Sequence, residues 1–417
     1  MKKRLTLLLA LSASTLLLTG CGNGASSSPA SASPASASST SASSTSTSTV
    51  PPEVTYTITW KNYDGTVLET DTKVKKGATP TYDGATPTKA SVGVSSYTFS
   101  GWTPSVVAVV ADATYTAQFT ESLGKSFNLG KYPQTVVEDS ATLTALASAT
   151  DTDSDGYLEY GSEEYKKVDS AAPCEAGYKS ISGSTTFATG SAYYFKVEPI
   201  EWRVLFGGEA KTGLVMSEKI LDVNNYYASK QSRTISSATV YANNYEYSSL
   251  RAMLNGLDFS SYVDGNKLNA GNFTGKGFLD IAFTADEKAY ITTTVVDNSA
   301  ATAVANTRQP TLNFSCENTR DKIFALSYKD LTNPSYGFAA SATSLASRGA
   351  VLTDYARAIG AVMNTSGNGY FWSRSPYAES NNYYCVSRVG FGGDVAYSGT
   401  SGTASVGIRP AFNATIA

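Results

Sequence analysis

The chain has 417 residues, with 32 Lys or Arg and 35 Asp or Glu, so its formal net charge is −3. Charges of both signs are interspersed and no basic stripe occurs, which argues against a nucleic-acid partner. Histidine is absent, and this excludes Ser-His-Asp catalysis, Cys-His catalysis and every His-ligated zinc site. Ligand binding, carboxylate chemistry and metal binding through oxygen ligands are left open.

The first twenty residues are typical of an export signal. Basic residues at positions 2–4 precede an apolar run over residues 5–18. A bilayer span needs about 20 apolar residues, so this run has the length of a signal-peptide core instead. The sequence Leu-Thr-Gly-Cys ending at Cys21 resembles the bacterial lipobox, which implies that Cys21 is lipidated and residues 1–20 are removed. The alternative is an ordinary secretory signal with a chance cysteine.

We therefore expect an extracytoplasmic protein whose lipid anchor holds it to the bacterial cell membrane or outer membrane. After the signal, residues 22–52 are almost wholly Ser, Ala, Thr and Pro, with no charge and no aromatic side chain. Such a segment has nothing with which to form a core. Residues 21–53 are accordingly predicted to be a disordered tether.

Residues 54–121 show the two-residue alternation of short strands, with a turn at Asp64-Gly65. The opening strand, this turn, the Gly-Trp step ending at Trp102 and the closing Tyr-Thr-Ala-x-Phe resemble the Listeria–Bacteroides repeat, a module of bacterial surface proteins such as internalin B. The resemblance implies a β-grasp-like fold and a spacer or adhesive role without catalytic residues. Trp60, Phe99 and Trp102 are expected in its core.

Residues 127–417 are predicted to form one larger domain. A helix is expected at residues 248–256, because a Ser cap precedes the apolar residues and a glycine closes the segment. Further short helices are expected at 285–291 and 353–358. The remaining elements are short strands, with a buried one expected at 321–327.

Several motifs in this domain occur in the order seen in the bacterial family DUF6273. They are Leu-Gly-x-Tyr-Pro-Gln from residue 129, Trp-Arg-Val-Leu from 202, Ser-x-Lys-Ile-Leu-Asp from 217, Ser-Leu-Arg-x-x-Leu-Asn from 249, Asp-Lys-Ile-Phe from 321, Trp-Ser-Arg-Ser-Pro from 372 and Gly-Ile-Arg-Pro-Ala from 407. The ending also resembles the formylglycine-generating-enzyme branch of the C-type lectin fold. The fold class expected for the whole chain is α+β and strand-dominated: a β-grasp-like repeat followed by a C-type-lectin-like domain.

The lectin-fold resemblance does not bring catalysis with it. The sulfatase-modifying enzymes need a cysteine pair near the C-terminus that holds copper, and only Cys385 lies in that region. Cys174 and Cys316 are distant in sequence, and no CxxC spacing predicts a thiolate metal site. One disulfide with a leftover thiol and three free thiols both remain open.

One loop carries alternating carboxylates, as calcium loops do. Asp151, Asp153 and Asp155 precede Gly156, which permits a sharp turn. The twelfth position is Ser162 rather than an acidic residue, so a bidentate ligand would have to come from Glu159, Glu163 or Glu164. Calcium is the only candidate cofactor, and the alternative is a solvated acidic turn.

The last part of the chain concentrates residue types that bind glycans or proteins, namely aromatic faces and directional hydrogen-bonding groups. The candidate ligand-binding residues are Trp372, Arg374, Tyr377, Asn381, Asn382, Tyr383, Tyr384, Asp394 and Tyr397. Trp372 and Arg374 have the alternative role of packing the core. The function expected is a non-catalytic binding or adhesion lipoprotein for glycan or protein ligands. The alternatives are a carboxylate-dependent hydrolase and a structural envelope protein.

Overall fold

The computed structural model describes residues 52–92, 94–207, 211–261, 271–304, 314–377, 383–400 and 405–416. The expected signal peptide, Cys21, nearly all of the tether, Asn381 and Asn382 lie outside these ranges. Within the ranges, no helix has the length and apolar character that a membrane span requires.

Twenty strands are present in the described ranges. They are β1 (Thr55–Lys61), β2 (Val67–Lys75), β3 (Ser95–Thr103), β4 (Ala113–Leu123), β5 (Ser126–Val136), β6 (Leu158–Tyr160), β7 (Glu163–Val168), β8 (Tyr193–Phe206), β9 (Thr212–Ser217), β10 (Asp222–Val223), β11 (Arg233–Ile235), β12 (Ala238–Val240), β13 (Ile291–Thr292), β14 (Thr294–Val296), β15 (Thr319–Asp321), β16 (Phe371–Pro376), β17 (Cys385–Val389), β18 (Val395–Gly399), β19 (Gly407–Ile408) and β20 (Ala411–Thr415). The same ranges hold five short α-helices: α1 (Ser140–Leu146), α2 (Ser249–Asn255), α3 (Phe278–Ala282), α4 (Tyr328–Leu331) and α5 (Asp354–Ala358).

The first four strands form a sheet in the order β2-β1-β4-β3, with β1 and β4 parallel. Trp60 is buried on this sheet, with its ring centroid 4.7 Å from that of Trp102 and 4.9 Å from that of Tyr115. No helix covers the sheet among the described residues of this segment. The residues between β2 and β3 are rich in Gly, Pro and Thr, which disfavour helix, so aromatic side chains and an extended segment close the core instead.

The longest strand, β8, organises the rest of the chain, because it pairs with β5, β7 and β9. These strands belong to a seven-stranded sheet that runs β13-β20-β9-β8-β7-β6, with β5 attached to β8. A five-stranded sheet has the order β10-β19-β16-β17-β18, and two-stranded sheets join β11 to β12 and β14 to β15. Trp202 of β8 lies in the common core, where its indole nitrogen donates to the Leu129 carbonyl at 2.8 Å.

The expected predominance of strands is confirmed, but the expected α+β class is wrong. The described α-helices are no longer than seven residues, whereas the strands form several small sheets, so the molecule is mostly β. The β-grasp-like and C-type-lectin-like assignments fall with it, since both require a long helix packed on a sheet. The helical signals in the sequence are real but last only one or two turns before a glycine or an extended residue stops them.

Two predicted helices are capped by hydroxyl side chains, and the Ser248 cap was expected. In α2 the Ser248 hydroxyl accepts from the Arg251 amide, and Gly256 ends the helix at a φ of 65°. In α5 the Thr353 hydroxyl accepts from the Ala356 amide. The helix expected at 285–291 is shorter, a 3-10 turn over Glu287–Tyr290.

The buried strand expected at 321–327 is wrong for most of its length, because β15 ends at Asp321. Its carbonyl groups alternate between backbone and side-chain donors: the Phe324 carbonyl accepts the Ala411 amide of β20 at 2.8 Å, and the Leu326 carbonyl accepts the Arg374 amide of β16 at 3.0 Å. Asn255 donates to the Ile323 carbonyl at 2.7 Å, and Arg374 donates to the Ala325 carbonyl at 2.9 Å. Burial and hydrogen bonding are thus achieved without a regular ladder.

Candidate functional site

A cavity of about 480 Å³ lies between the start of β10, α5, the end of β5 and the loop before β6. Its volume is within the ~300–1,000 Å³ usual for small-molecule sites. The walls combine tyrosine rings, apolar side chains and a few charged groups. They are formed by Tyr132, Pro133, Asp151, Ser154, Asp155, Gly156, Tyr157, Lys166, Asp222, Val223, Asn224, Met253, Phe273, Gly275, Lys276, Ile281 and Tyr355.

Asp222 is the buried acidic group of this cavity and is only 7% exposed. One carboxylate oxygen accepts the Tyr132 hydroxyl, and the other accepts the Val223 amide at 2.6 Å. Burial outweighs these hydrogen bonds and raises the pKa of the Asp222 carboxyl to about 6. At neutral pH the cavity therefore contains a desolvated negative charge.

Asp222 differs from the other buried aspartates of the described residues in having no cationic group within 4 Å, although the charge of Lys166 acts on it from farther away. Asp321 lies 2.8 Å from the Arg251 guanidinium, and Asp354 lies 3.9 Å from that of Arg357. Buried charges are ordinarily paired, because an unpaired one loses its hydration without compensation. Asp222 is thus the buried carboxylate with unused capacity to attract a cation.

Three tyrosines surround this carboxylate. Tyr132 binds it directly, while Tyr157 and Tyr355 lie close enough for the charge of Asp222 to add to the effect of burial, which raises the pKa of both hydroxyls. The Tyr157 hydroxyl is buried and has no hydrogen-bond partner. The Tyr132 and Tyr355 rings meet edge to face at 6.0 Å, so the aromatic walls support one another.

The acidic loop predicted to bind calcium forms one wall of this cavity. Asp151 accepts the amides of Ser154 at 2.7 Å and Gly156 at 2.9 Å, and the Gly156 φ of 91° allows the tight return. The Lys166 ammonium group donates to the Gly156 carbonyl at 3.0 Å. These bonds hold the loop in place without an ion.

The structure brings together a different acidic trio from the one expected. Asp151, Asp153 and Glu159 each offer one oxygen, and these atoms lie within 4.8 Å of one another. Asp155 is not in this group; it lines the cavity and accepts the Tyr157 amide at 2.9 Å. Burial raises the pKa of the Asp155 carboxyl. Of the three glutamates that the sequence left open, Glu159 is the one whose carboxylate lies beside Asp151 and Asp153.

Two of the candidate ligand-binding residues are buried. Trp372 is 2% exposed, and its indole nitrogen donates to the Asn224 carbonyl at 2.8 Å. Arg374 is 6% exposed and bridges the Ala325 carbonyl and Asp330, both at 2.9 Å. Both side chains are therefore part of the buried core, which is the alternative role predicted for them.

The remaining candidates in the described ranges lie at or near strands β17 and β18. Tyr377 and Tyr397 stack with ring centroids 4.3 Å apart, and Tyr397 is 47% exposed on the edge strand β18. Tyr383 and Tyr384 meet edge to face at 5.9 Å. Asp394 is half-buried in the turn between β17 and β18. This edge is an aromatic surface rather than a pocket.

The cysteines beyond Cys21 are free thiols: Cys174 is exposed, Cys316 is partly buried and Cys385 is buried. Burial raises the pKa of Cys316 to about 11 and also raises that of Cys385. Both groups are therefore protonated and unreactive at neutral pH.

Residues 211–416 match the family model described as a domain of unknown function, DUF6273. The chain carries a DUF6273 domain. The resemblance drawn from the sequence motifs is confirmed over these residues. No curated protein and no solved structure matches the chain. Asp222 and Tyr355 of the cavity lie inside the DUF6273 domain, whereas Tyr132 and Tyr157 precede it.

Sequence reasoning missed the cavity, although two of its residues lie in motifs that were noted. Tyr132 is the tyrosine of Leu-Gly-x-Tyr-Pro-Gln, and Asp222 is the last residue of Ser-x-Lys-Ile-Leu-Asp. An acidic residue directly after an apolar strand was the available signal. The pairing of Asp222 with a tyrosine ninety positions earlier had no such signal.

Proposed function

We propose that the protein is an extracytoplasmic, lipid-anchored binding protein that captures a glycan or protein ligand without catalysing a reaction. Cys21 holds it to the membrane, residues 21–53 are the tether, and the first sheet is a spacer. The larger part of the chain carries the binding site.

The observation that carries this proposal is the cavity around Asp222. It is a concave site with tyrosine walls and few convergent polar groups, the combination typical of ligand pockets. The aromatic edge at Tyr377 and Tyr397 is a second surface against which a long ligand can lie.

Binding is favoured over hydrolysis by the state of the acidic groups. Hydrolysis of a glycoside requires two carboxyl groups with separate acid and base or nucleophile roles. Of the acidic residues in the cavity, Asp151 is occupied by the backbone of its own loop, and Asp155 also accepts a loop amide. Asp222 alone is buried, and it has no cationic group within 4 Å.

The test is a screen of the purified protein against glycan and surface-protein arrays, repeated with Asp222→Asn and Tyr397→Ala. We expect Asp222→Asn to abolish binding of the principal ligand and Tyr397→Ala to weaken it by a smaller factor. Binding that survives Asp222→Asn unchanged would contradict the cavity assignment, and chromatographic detection of cleaved glycan would contradict the non-catalytic one.

The anchor is tested separately in cells. Cys21→Ala is expected to release the protein into the medium or leave an uncleaved precursor, because the acyl chains that retain it can no longer be attached. Ser26→Ala is the matched control in the adjoining tether. An unchanged membrane fraction of normal mature mass for Cys21→Ala would refute the lipid anchor.

A further inference from the structure

The unpaired charge of Asp222 identifies the kind of group that completes the cavity. Arginines accompany the other two buried aspartates, and Asp222 has only the Tyr132 hydroxyl and the Val223 amide. A carboxylate has about four lone-pair positions, so two acceptor positions remain. A ligand ammonium group would fill them with charge-assisted hydrogen bonds, which are about twice as strong as neutral ones.

The other charges of the cavity favour the same sign of ligand. Asp151 and Asp155 add two carboxylates to its walls, against the ammonium groups of Lys166 and Lys276. Lys166 is engaged by the Gly156 carbonyl, which reduces its availability to the cavity. Tyrosine rings attract cations, and Tyr157 and Tyr355 line the cavity, where the Lys166 ammonium group lies 5.7 Å from the Tyr157 ring centroid.

The size and the chemical mixture of the walls indicate a ring rather than a flexible chain. The volume of about 480 Å³ is wider than a single aliphatic stem needs. Asn224 and Lys276 offer hydrogen bonds at points away from Asp222, while Phe273 and Ile281 offer apolar contact. A sugar ring has hydroxyl groups for the former and C–H faces for the latter.

From this geometry we propose that the cavity binds an amino sugar unit with a free amine, whose ammonium group donates to Asp222. This inference rests on the proposed binding function and specifies its ligand. Asp155, on the exposed loop at the wall, adds long-range attraction, and Asp222 supplies the direct contact.

Calorimetric titration of the full chain with two matched disaccharides tests the proposal. One is the disaccharide of glucosamine, and the other is the same disaccharide with both amines acetylated. We expect the free-amine form to bind about tenfold or more tightly than the acetylated form at neutral pH, because only the former carries the cation. Asp222→Asn is expected to abolish this difference, and Asp169→Asn, which removes an exposed carboxylate outside the cavity, to leave it intact.

A second variant keeps the test informative if Asp222→Asn folds poorly. Asp155→Asn changes only an exposed loop residue and is expected to weaken the free-amine form several-fold while leaving the acetylated form unchanged. A lysine amide with its α-amine acetylated is the third probe, and it is expected to bind more weakly than the amino sugar.

Each contrary result overturns a different statement. Equal binding of the two disaccharides overturns the ammonium assignment, and tighter binding of the lysine amide overturns the sugar. No binding of any of the three probes overturns the amino-sugar inference alone when the array screen still finds a ligand sensitive to Asp222→Asn. If that screen is also negative, the proposed function itself fails.

Discussion

Replacing Asp222 with asparagine should change how the stability of the protein depends on pH. Burial raises the pKa of Asp222 from 3.8 to about 6. At 1.36 kcal/mol per unit, this shift corresponds to about 3 kcal/mol. Because the folded state binds the proton more tightly than the unfolded state, the contribution of Asp222 to stability decreases as pH rises from about 4 to about 6. Above that range the cost of the buried charge is constant.

Asparagine has nearly the same shape as aspartate and no charge to bury. The stability of the Asp222→Asn variant therefore lacks the pH-dependent contribution of this carboxyl group. The assay is urea denaturation of both proteins from pH 4 to pH 8, with the difference in unfolding free energy plotted against pH. We expect that difference to move in favour of the variant by about 3 kcal/mol across the range.

The groups that face Asp222 are the hydroxyls of Tyr132, Tyr157 and Tyr355 and the ammonium group of Lys166. Burial raises the pKa of the three hydroxyls above its usual value of 10, so none of them ionises between pH 4 and pH 8. A difference that stays constant with pH would refute the assignment of Asp222 as an unpaired buried carboxylate. A difference that moves in favour of the wild type with rising pH would show that a cation already balances it.

Further predictions concern the acidic loop, the core and a helix end. Calcium is expected to raise the melting temperature by binding to Asp151, Asp153 and Glu159, and Asp153→Asn is expected to remove that increase. Differential scanning calorimetry measures the change, with magnesium as the control ion. Trp372→Ala should cost about 3–5 kcal/mol in urea denaturation, because the side chain is 2% exposed, whereas Tyr397→Ala on the edge strand should cost about 1 kcal/mol or less. Gly256→Ala should destabilise by more than about 1 kcal/mol, because its φ is 65° and its new methyl group would lie 2.1 Å from the Asp280 carboxylate; equal melting of this variant and the wild type would contradict the strain.

Local signals in the sequence predicted the helix ends accurately. Ser248 was recognised as a cap because a hydroxyl in that position satisfies a free amide wherever the helix packs, and Thr353 has the same role in the structure. The local signals did not predict the fold class, because the length of a helix between its N-terminal cap and its C-terminal stop depends on tertiary packing. The described helices stop after one or two turns, and the sheets dominate.

The segment at 321–327 shows where apolar patterning fails. A run of apolar residues in the sequence predicts that the segment is buried, but it does not predict which groups form hydrogen bonds with its backbone. Here the side chains of Asn255 and Arg374, distant in sequence, supply donors between the isolated backbone contacts that the segment makes with β20 and β16. Nothing local distinguishes a strand from an extended segment held by side chains.

One of the two candidate sites could be identified from the sequence and the other could not. The acidic loop could be identified from sequence because its carboxylates are neighbours, and only the choice of Glu159 needed the structure. The cavity could not be identified from the sequence, because its residues come together only when four separate segments pack. These residues are Tyr132, Tyr157, Asp222 and Tyr355.

The DUF6273 match begins at residue 211, but residues on both sides of this position pack in one core. Strand β9, which starts at Thr212, pairs with β8, and β8 pairs with β5. The Trp202 side chain of β8 contacts the Phe412 ring of β20 with centroids 4.6 Å apart. Removing the segment before residue 211 would therefore strip one face of the core and expose β9 as an edge. The same cut would delete Tyr132 and Tyr157, so the smallest unit that can hold the cavity includes the strands that precede the matched family region.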